Sequence, residues 1–224
     1  MTKPGQEPAT KKAGGILRKA IALEVGIWRS LHHWARRRTV GANQGDRTFG
    51  YAAAAAPLLW VFIVMSAIEI PLIDLVLPWT AARIVFLILG AWGLVWMVGL
   101  LASLHVHPHV AGDSGLRIRS GLMVDITVPW ESIAAVRTHR RTLPKTRTLQ
   151  LEQEASGNVL HVTVSSMTNV DIELRQPISV LVPKIGDTSI TRLRCYADDP
   201  LAFVKQTQEF LTSATTGQPG SPAS

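Results

Sequence analysis

Cysteine is almost absent from this chain of 224 residues, which contains a single one, Cys195. One thiol rules out an internal disulfide and a metal site built from several cysteines. Such sparing use of cysteine is typical of a protein in a reducing compartment. Because Cys195 falls within an alternating apolar pattern, we expect it to lie in a folded core and not to act as a nucleophile.

The sequence also lacks the motifs that mark common catalytic sites. It contains no GxSxG nucleophile elbow, no phosphate-binding P-loop and no HExxH zinc motif. No stretch supplies a nucleophile together with an acid–base pair. We therefore expect a protein that is not an enzyme and that uses no cofactor.

Charged residues are missing from two long stretches of the chain. Residues 48–68 and 84–112 contain no Asp, Glu, Lys or Arg. Each stretch offers about the 20 apolar residues that an α-helix needs to cross the hydrocarbon core of a bilayer. We predict two transmembrane helices, near residues 51–68 and 82–104, which form a membrane hairpin over residues 51–104. No cleavable signal peptide is expected, because the first apolar stretch begins far from the start of the chain.

The connection between the two predicted helices, residues 69–81, contains Pro71 and Pro78, which are expected to break the helix. Glu69 and Asp74 are its only charged residues. Carboxylates near a membrane are candidate ion or proton sites, so transport or sensing by an oligomer of hairpins is one functional hypothesis. The alternative is that both acids lie at the outer interface and end the first helix. The lack of a basic residue in the connection favours this alternative.

Acidic residues are scarce near the N-terminus. Residues 1–50 hold ten of the 23 Lys and Arg but three of the 16 Asp and Glu, and so carry the whole net charge of +7. A basic segment before a membrane helix is better explained by anionic lipid than by nucleic acid, so we expect the bilayer as partner. The connection has no Lys or Arg, and the positive-inside rule then predicts a multi-pass protein of the cell membrane with both termini in the cytoplasm.

Residues 16–50 are predicted to form a basic amphipathic helix followed by a loop. Apolar residues recur every three or four positions over residues 16–38, which places them on one face. This helix is expected either to lie in the membrane interface or to pack on the protein's own C-terminal domain. Residues 1–15 are polar and expected to be disordered. The residues expected at the headgroup layer are Trp28, Arg29, Trp34, Arg36, Arg37 and Arg38.

Three histidines follow the second apolar stretch. His105, His107 and His109 alternate along the chain, so on a strand they would share one face and could bind zinc or copper. A closed zinc site needs four ligands, and no Cys or acidic partner lies close by. We therefore expect no metal, with these histidines as the weak candidates. The alternative is that they form a polar exit from the membrane into the first strand.

The segment from residue 113 to residue 214 changes to the two-residue period of β-strands. About seven short strands are expected, with the strand around Pro177 bent or interrupted. One amphipathic helix follows, and its start is indicated by Asp198 and Asp199 before Pro200. This pattern predicts a mainly β domain, a small half-open barrel capped at one end by the helix. Residues 215–224 are expected to be a disordered tail.

Two short motifs in this domain resemble a known family. They are Gly115-Leu-Arg-Ile-Arg-Ser-Gly121 and Val128-Pro-Trp-Glu-Ser-Ile133. Together with the hairpin before them, they resemble the PH-like domains of small bacterial membrane proteins. The resemblance implies a membrane α-helical hairpin plus a PH-like domain, and it implies little chemistry. The residues themselves indicate structural roles for Gly115, Gly121, Pro129, Trp130 and Ile133, with a tight turn at Gly121 and the end of a strand at Pro129.

A basic cluster is predicted as a loop between the third and fourth strands. Its members are Arg137, Arg140, Arg141, Lys145 and Arg147. It lacks aromatic residues for stacking on bases, which argues against RNA. Binding of anionic lipid headgroups through this cluster is a further hypothesis.

Our leading functional hypothesis is a non-enzymatic membrane protein that presents its PH-like domain in the cytoplasm. The domain would recruit another membrane or cytoplasmic protein, or regulate a membrane complex. Gly99 and Ser103 form a small-xxx-small pair on the second apolar stretch. This pair could pack on the first membrane helix or on a second copy of the chain, so a homo-oligomer is possible.

Overall fold

The computed structural model describes residues 9–43, 45–182 and 186–216. Within these ranges the chain forms four α-helices, nine β-strands and one short 3-10 helix at Trp130–Ser132. In chain order the elements are α1 (Ala9–Ala35), β1 (Arg47–Phe49), α2 (Ala56–Val76), α3 (Thr80–Val106), β2 (His109–Gly112), β3 (Gly115–Ser120), β4 (Val124–Val128), β5 (Ile133–Thr142), β6 (Leu149–Glu154), β7 (Gly157–Val162), β8 (Met167–Val182), β9 (Gly186–Cys195) and α4 (Pro200–Thr216).

The two apolar stretches form the helices α2 and α3, and both are long and apolar enough to cross a membrane. In their most apolar windows 6% and 11% of the residues are buried, so neither is the core helix of a globular fold. They pack on each other, with Gly90 of α3 facing Ile70 of α2. The predicted connection over residues 69–81 is wrong, because α2 continues through Pro71 and only residues 77–79 link the helices. Proline is tolerated in such helices when neighbouring groups satisfy the freed carbonyl.

Helix α1 packs against α3. Ile27 is 2% exposed and lies against Gly99, where a side chain on α3 would collide with it. Gly99 of the small-xxx-small pair therefore faces α1 and not α2, the first of its two expected partners. Packing of the pair on a second copy of the chain stays a prediction. The helix is longer than expected, since it begins at Ala9, and residues 9–15 are helical instead of disordered. The rest of the predicted N-terminal tail lies outside the described residues.

The strands form two sheets. One has the order β1-β2-β3-β4, and the other has the order β5-β8-β9-β7-β6, in which β7 and β9 are parallel. Strand β1 precedes the helical hairpin and pairs with β2, which follows it, with Thr48 opposite Val110. The β structure is therefore wider than the expected segment 113–214, and the loop expected up to residue 50 contains a strand.

The apolar faces of both sheets enclose one core. Helix α4 contributes Phe203 to this core, and Cys195 is fully buried within it, which confirms the expected core position of the thiol. The sheets do not close into a barrel among the described residues. Strand β8 is one strand of 16 residues with a register shift between Glu173 and Ile178, which confirms the predicted bend at Pro177.

Candidate functional site

The helical hairpin and the sheets meet in a small aromatic cluster. Tyr51 lies just before α2 and its ring is 4.7 Å from that of His109 on β2. Phe203 of α4 packs edge-on to His109, with 6.1 Å between ring centroids. The Tyr51 hydroxyl accepts a 2.6 Å hydrogen bond from the backbone N–H of Gly121, and burial raises the pKa of Tyr51 to about 12. This cluster joins three elements that are distant in sequence.

His109 is fully satisfied inside this cluster. Its Nε2–H donates to the carbonyl oxygen of Tyr196 at 2.9 Å, and its Nδ1 accepts the backbone N–H of Arg119 at 3.0 Å. Two such partners define the neutral ring with the proton on Nε2. Burial lowers the pKa of His109 to about 4. The ring is therefore a neutral structural group at physiological pH.

The three candidate metal-binding histidines do not share a face. His105 lies in the last turn of α3 and His107 caps that helix, and their Nδ1 atoms donate to the carbonyls of Leu101 and Ser103. The prediction of three histidines on one strand is wrong, because helical geometry persists to Val106 and only His109 belongs to a strand. No group of three or more potential metal ligands occurs in the described part of the chain.

Further hydrogen bonds hold the start of α2 to the sheets. The Asp198 carboxylate accepts the backbone N–H of Ala53 at 2.9 Å, and the Asp198 N–H donates to the carbonyl of Gly50 at 2.8 Å. On the other side, the Ser165 hydroxyl donates to the carbonyl of Ala54 at 2.9 Å. These bonds fix the segment just before α2 to the sheets and to the start of α4.

Arg119 connects the same region to the loop after α1. The side chain is 4% exposed, and its Nη1 donates to the carbonyl oxygen of Val40. Val40 in turn donates its N–H to the carbonyl of Val106 at the end of α3. No local pattern indicated the roles of Arg119 and Tyr51, and Asp198 was expected only at the start of the last helix. The alternating pattern of β3 predicted an exposed side chain at Arg119. The side chain is buried because the distant loop at Val40 covers it.

The residues of the family-like motifs have structural positions. Trp130 donates its indole N–H to the carbonyl of Gly112 at 2.9 Å and stacks on Phe210 of α4 at 5.4 Å. Pro129 follows the last residue of β4 and precedes the 3-10 helix. Ile133 is fully buried at the start of β5.

The two motif glycines occupy backbone conformations that favour glycine. Gly121 has φ +52° in the turn between β3 and β4, which agrees with the predicted tight turn. Gly115 has φ +125°, and a Cβ there would lie 2.5 Å from the carbonyl oxygen of Val128. The backbone conformation alone therefore explains why glycine occurs at both positions.

The basic cluster is divided by the structure. The prediction of a loop is wrong for its first half, because Arg137, Arg140 and Arg141 lie on β5, which extends to Thr142 as the edge strand of its sheet. Arg141 is held by Glu152 at 2.8 Å and by Glu154 at 3.0 Å. The remaining members, Arg137, Arg140, Lys145 and Arg147, are exposed.

Arg141 belongs to an ion-pair network on the polar face of the second sheet. Arg194 is 5% exposed and donates to Glu154 at 2.7 Å and to Asp171 at 3.2 Å. The hydrogen bond from Arg194 is the main reason why the pKa of Glu154 lies below its usual value. His161 is fully buried beside Glu152, and burial lowers the pKa of its imidazole. Every arginine of this network faces at least one carboxylate, which indicates a structural network.

The predicted interfacial residues lie on or just after α1. Trp28 donates its indole N–H to Glu24 at 3.0 Å and packs edge-on to Trp92 of α3, with 6.2 Å between ring centroids. Trp34 lies 6.5 Å from the ring of His105. The four arginines at positions 29, 36, 37 and 38 are exposed. The helix packs on α3, which was not one of its two predicted neighbours. Apolar side chains such as Ile21 and Val25 remain exposed, and their position at a membrane interface stays a prediction.

The two acids of the hairpin lie on α2, and one of them has a partner. Asp74 forms a 3.3 Å ion pair with Nε of Arg83 on α3, so the expected lack of a basic neighbour is wrong. The partner was missed because the three-residue link brings the two helix ends together. Glu69 is exposed.

Comparison with models of known families, with curated proteins and with solved structures gives no match for this chain.

Proposed function

We propose that this chain is an integral membrane protein of the bacterial PH-like type, whose non-enzymatic β domain recruits a protein partner or regulates a membrane complex. The observation that carries the proposal is the rigid attachment of the sheets to the helical hairpin. Buried contacts through Tyr51, His109 and Asp198 replace a flexible tether. A domain mounted in this way presents its outer surface at a constant height and orientation to a partner.

The membrane part of the proposal is supported by exposed apolar side chains on α2 and α3. Large apolar residues such as Met65, Leu75, Ile88 and Trp92 are more than half exposed. Removal of apolar surface from water is favourable by about 25 cal/mol per Å², so exposure of these side chains to water would be unfavourable. Contiguous apolar surface of this kind marks a membrane or protein contact.

Strand pairing supports the proposed topology. Because β1 and β2 are neighbours in one sheet, both ends of the hairpin lie on the same side of any membrane that it crosses. The basic residues of α1 and its following loop then favour the cytoplasmic side. This supports cytoplasmic positions for the β domain and both termini.

The PH-like assignment is supported by the arrangement of the sheets and the last helix. Two mainly antiparallel sheets enclose one core, and α4 covers it through Phe203 and through the stack of Phe210 on Trp130. These are the features that the motif resemblance implies. We assign no catalytic step to the domain.

The surface available to a partner lies away from α2 and α3. Strand β8 begins just after Ser165, which contacts Ala54, and β9 ends just before Tyr196, which contacts His109. Val182 at the end of β8 and Gly186 at the start of β9 pair with each other, and they therefore lie at the opposite end of the domain. Leu181, near this end, is 76% exposed.

Photocrosslinking in native membranes tests recruitment. A benzophenone side chain placed at Leu181, or at the exposed Ala134 on the edge strand β5, should yield one adduct of defined protein mass. The matched control is Leu75 on α2, which is 83% exposed and is proposed to face lipid. Adducts from neither domain position, or the same adducts from Leu75, would contradict recruitment by the domain.

Contact of the basic cluster with anionic headgroups is a second candidate. The hydrogen bond between Ser165 and Ala54 brings the neighbouring loops to the start of α2, and Leu143 donates its N–H to the carbonyl of Ser166 in the same region. Lys145 and Arg147 follow closely in sequence and are exposed. They are therefore well placed for a membrane surface.

Lipid selectivity tests this second candidate. The double variant Lys145→Gln, Arg147→Gln should lower the preference of the protein for spin-labelled phosphatidylglycerol over phosphatidylcholine. The control removes two charges from exposed residues elsewhere, with Lys205→Gln and Arg175→Gln. An equal loss in both variants would show that net charge, and not this cluster, sets the preference.

A further inference from the structure

A cleft of about 190 Å³ opens between α1, the loop that follows it, the end of α3 and the turn between β3 and β4. Its polar lining consists of Arg29, Ser30 and His33 from α1 and of His107 from the cap of α3. No carboxylate lines it. The volume exceeds the roughly 30 Å³ that one water molecule occupies in the liquid, so a small polyatomic ion fits.

The positive charge in the cleft is not neutralised by close partners. Within the described part of the chain, no carboxylate lies within 4.0 Å of the Arg29 guanidinium. Ser30 is 1% exposed, and its hydroxyl donates to the carbonyl of Gly26. Its single hydroxyl proton is therefore committed, and the groups of the cleft that can donate to an anion are Arg29 and the two histidines.

The buried side chain of Arg119 lies next to the lining of the cleft and adds to its positive electrostatic potential. Arg119 is bonded to Val40, which lines the cleft, and its Nε makes no hydrogen bond. The nearest carboxylate to that atom is Asp125, at 3.6 Å, and Asp125 is already engaged by two hydrogen bonds from Arg117. The Asp125 carboxylate is therefore shared by Arg117 and Arg119, and the net charge of these three residues is positive.

His107 responds to this field. Its Nδ1–H is committed to the carbonyl of Ser103, so an added proton must go to Nε2. Burial lowers the pKa of His107, and Arg119 and His33 act in the same direction, while the hydrogen bond to Ser103 and the charge of Asp125 oppose them. A bound anion would favour the doubly protonated ring and reverse this shift.

We propose that this cleft binds a phosphate group, supplied either by an anionic lipid headgroup or by a soluble phosphate. Arg29 offers the forked donor geometry that suits phosphate oxygens, and the two histidines add charge-assisted donors when protonated. Binding of a lipid headgroup depends on the membrane position proposed above, whereas binding of a soluble phosphate does not.

The test measures the pKa of His107 by NMR in the full chain, held in nanodiscs, with His107→Gln used to assign the resonance. Three samples are compared: phosphatidylcholine with chloride, phosphatidylcholine with inorganic phosphate, and phosphatidylcholine mixed with phosphatidylglycerol. An opposite charge within reach of the ring should raise the pKa by about one or more. A rise with inorganic phosphate identifies a soluble ligand, and a rise with phosphatidylglycerol alone identifies a lipid headgroup.

Arg29→Gln should abolish the rise and weaken phosphate binding about tenfold, the effect of one lost charge-assisted contact of about 1.4 kcal/mol. Arg18→Gln is the matched control, because Arg18 is an exposed arginine of the same helix that does not line the cleft. No rise in any sample, or equal losses in the two variants, would overturn the proposal. Neither result depends on crosslinking of a protein partner, so this proposal and the proposed function fail separately.

Discussion

The hydroxyl of Tyr51, just before α2, accepts a 2.6 Å hydrogen bond from the backbone N–H of Gly121, in the turn between β3 and β4. Tyr51 is fully buried. Tyr51→Phe removes the acceptor and leaves a backbone donor unsatisfied, which costs about 1–3 kcal/mol. We expect a lower free energy of unfolding, measured by chemical denaturation of the purified protein in detergent.

The chain provides a control for this change in its only other tyrosine, Tyr196. Its side chain is partly exposed, and its hydroxyl has no hydrogen-bond partner among the residues that the structure describes. Tyr196→Phe should change the free energy of unfolding by less than about 0.5 kcal/mol. Equal effects of the two substitutions would contradict a specific role for the Tyr51 bond.

His109 should make stability depend on pH. Its folded-state pKa is about 4, whereas that of an unfolded histidine is about 6.5. Between these values the unfolded chain binds more protons, so stability is full above pH 6.5 and falls as the pH drops towards 4. The difference corresponds to about 3 kcal/mol. Unfolding of the native protein and of His109→Gln at several pH values checks this.

The free energy of unfolding of the variant should depend less on pH between pH 4 and 6.5, because the variant lacks the histidine whose pKa is lowered. Carboxylates titrate in both proteins, so only the difference between the two curves reports on His109. Parallel curves would contradict a buried neutral imidazole at this position.

Gly99 controls the contact between α1 and α3. A Cβ at this position would lie 2.3 Å from Cγ2 of Ile27, so Gly99→Ala should displace α1. Amide hydrogen exchange within α1 should then become faster. The control is Gly93→Ala on the same helix, because nothing lies within 4 Å of a Cβ there. Adding Ile27→Ala to Gly99→Ala should restore slow exchange, and failure of this rescue would count against the contact.

Glu154 should be important for the ion-pair network. Glu154→Gln removes the charge that Arg194 and Arg141 contact at 2.7 and 3.0 Å, and we expect a loss of about 2 kcal/mol in the free energy of unfolding. Because the folded-state pKa of Glu154 is lowered, its contribution is present at neutral pH and is lost as the pH falls through that pKa.

The control for this network is Glu173→Gln. Glu173 is 42% exposed and lies 3.7 Å from Arg192, so its removal should cost less than about 1 kcal/mol. Thermal unfolding of both variants at pH 7 compares them. A larger effect at Glu173 than at Glu154 would contradict the assigned roles.

The helical part of the fold was largely predictable from sequence, because absence of charge over 20 residues is a strong local pattern. The ends of the helices were less predictable. Pro71 and the acids Glu69 and Asp74 suggested a break, yet the helical backbone continues to Val76. Asp74 pairs with Arg83 only because the link is short, a relation that the order of residues does not reveal.

The site depends on contacts between distant residues, and these were not predictable. Strand β1 has three residues, too few for a periodic pattern, and its partner β2 lies beyond the hairpin. Arg119 alternates like a surface residue and is buried only because the loop at Val40 covers it. Local patterns indicate which face of a strand is apolar, but they do not indicate which remote segment covers the other face.

The pairing of β1 with β2 has a consequence for how the protein is made. Thr48 and Val110 are 62 positions apart, so at typical synthesis rates β1 waits roughly 3 to 12 s before its partner has been translated. If the hairpin crosses a membrane as proposed, insertion falls within this interval. A chain inserted with its hairpin ends on opposite sides could never complete the first sheet, and it would keep an unpaired strand edge. Completion of that sheet is therefore a built-in check on correct insertion, and chaperones and proteases can act on the chains that fail it.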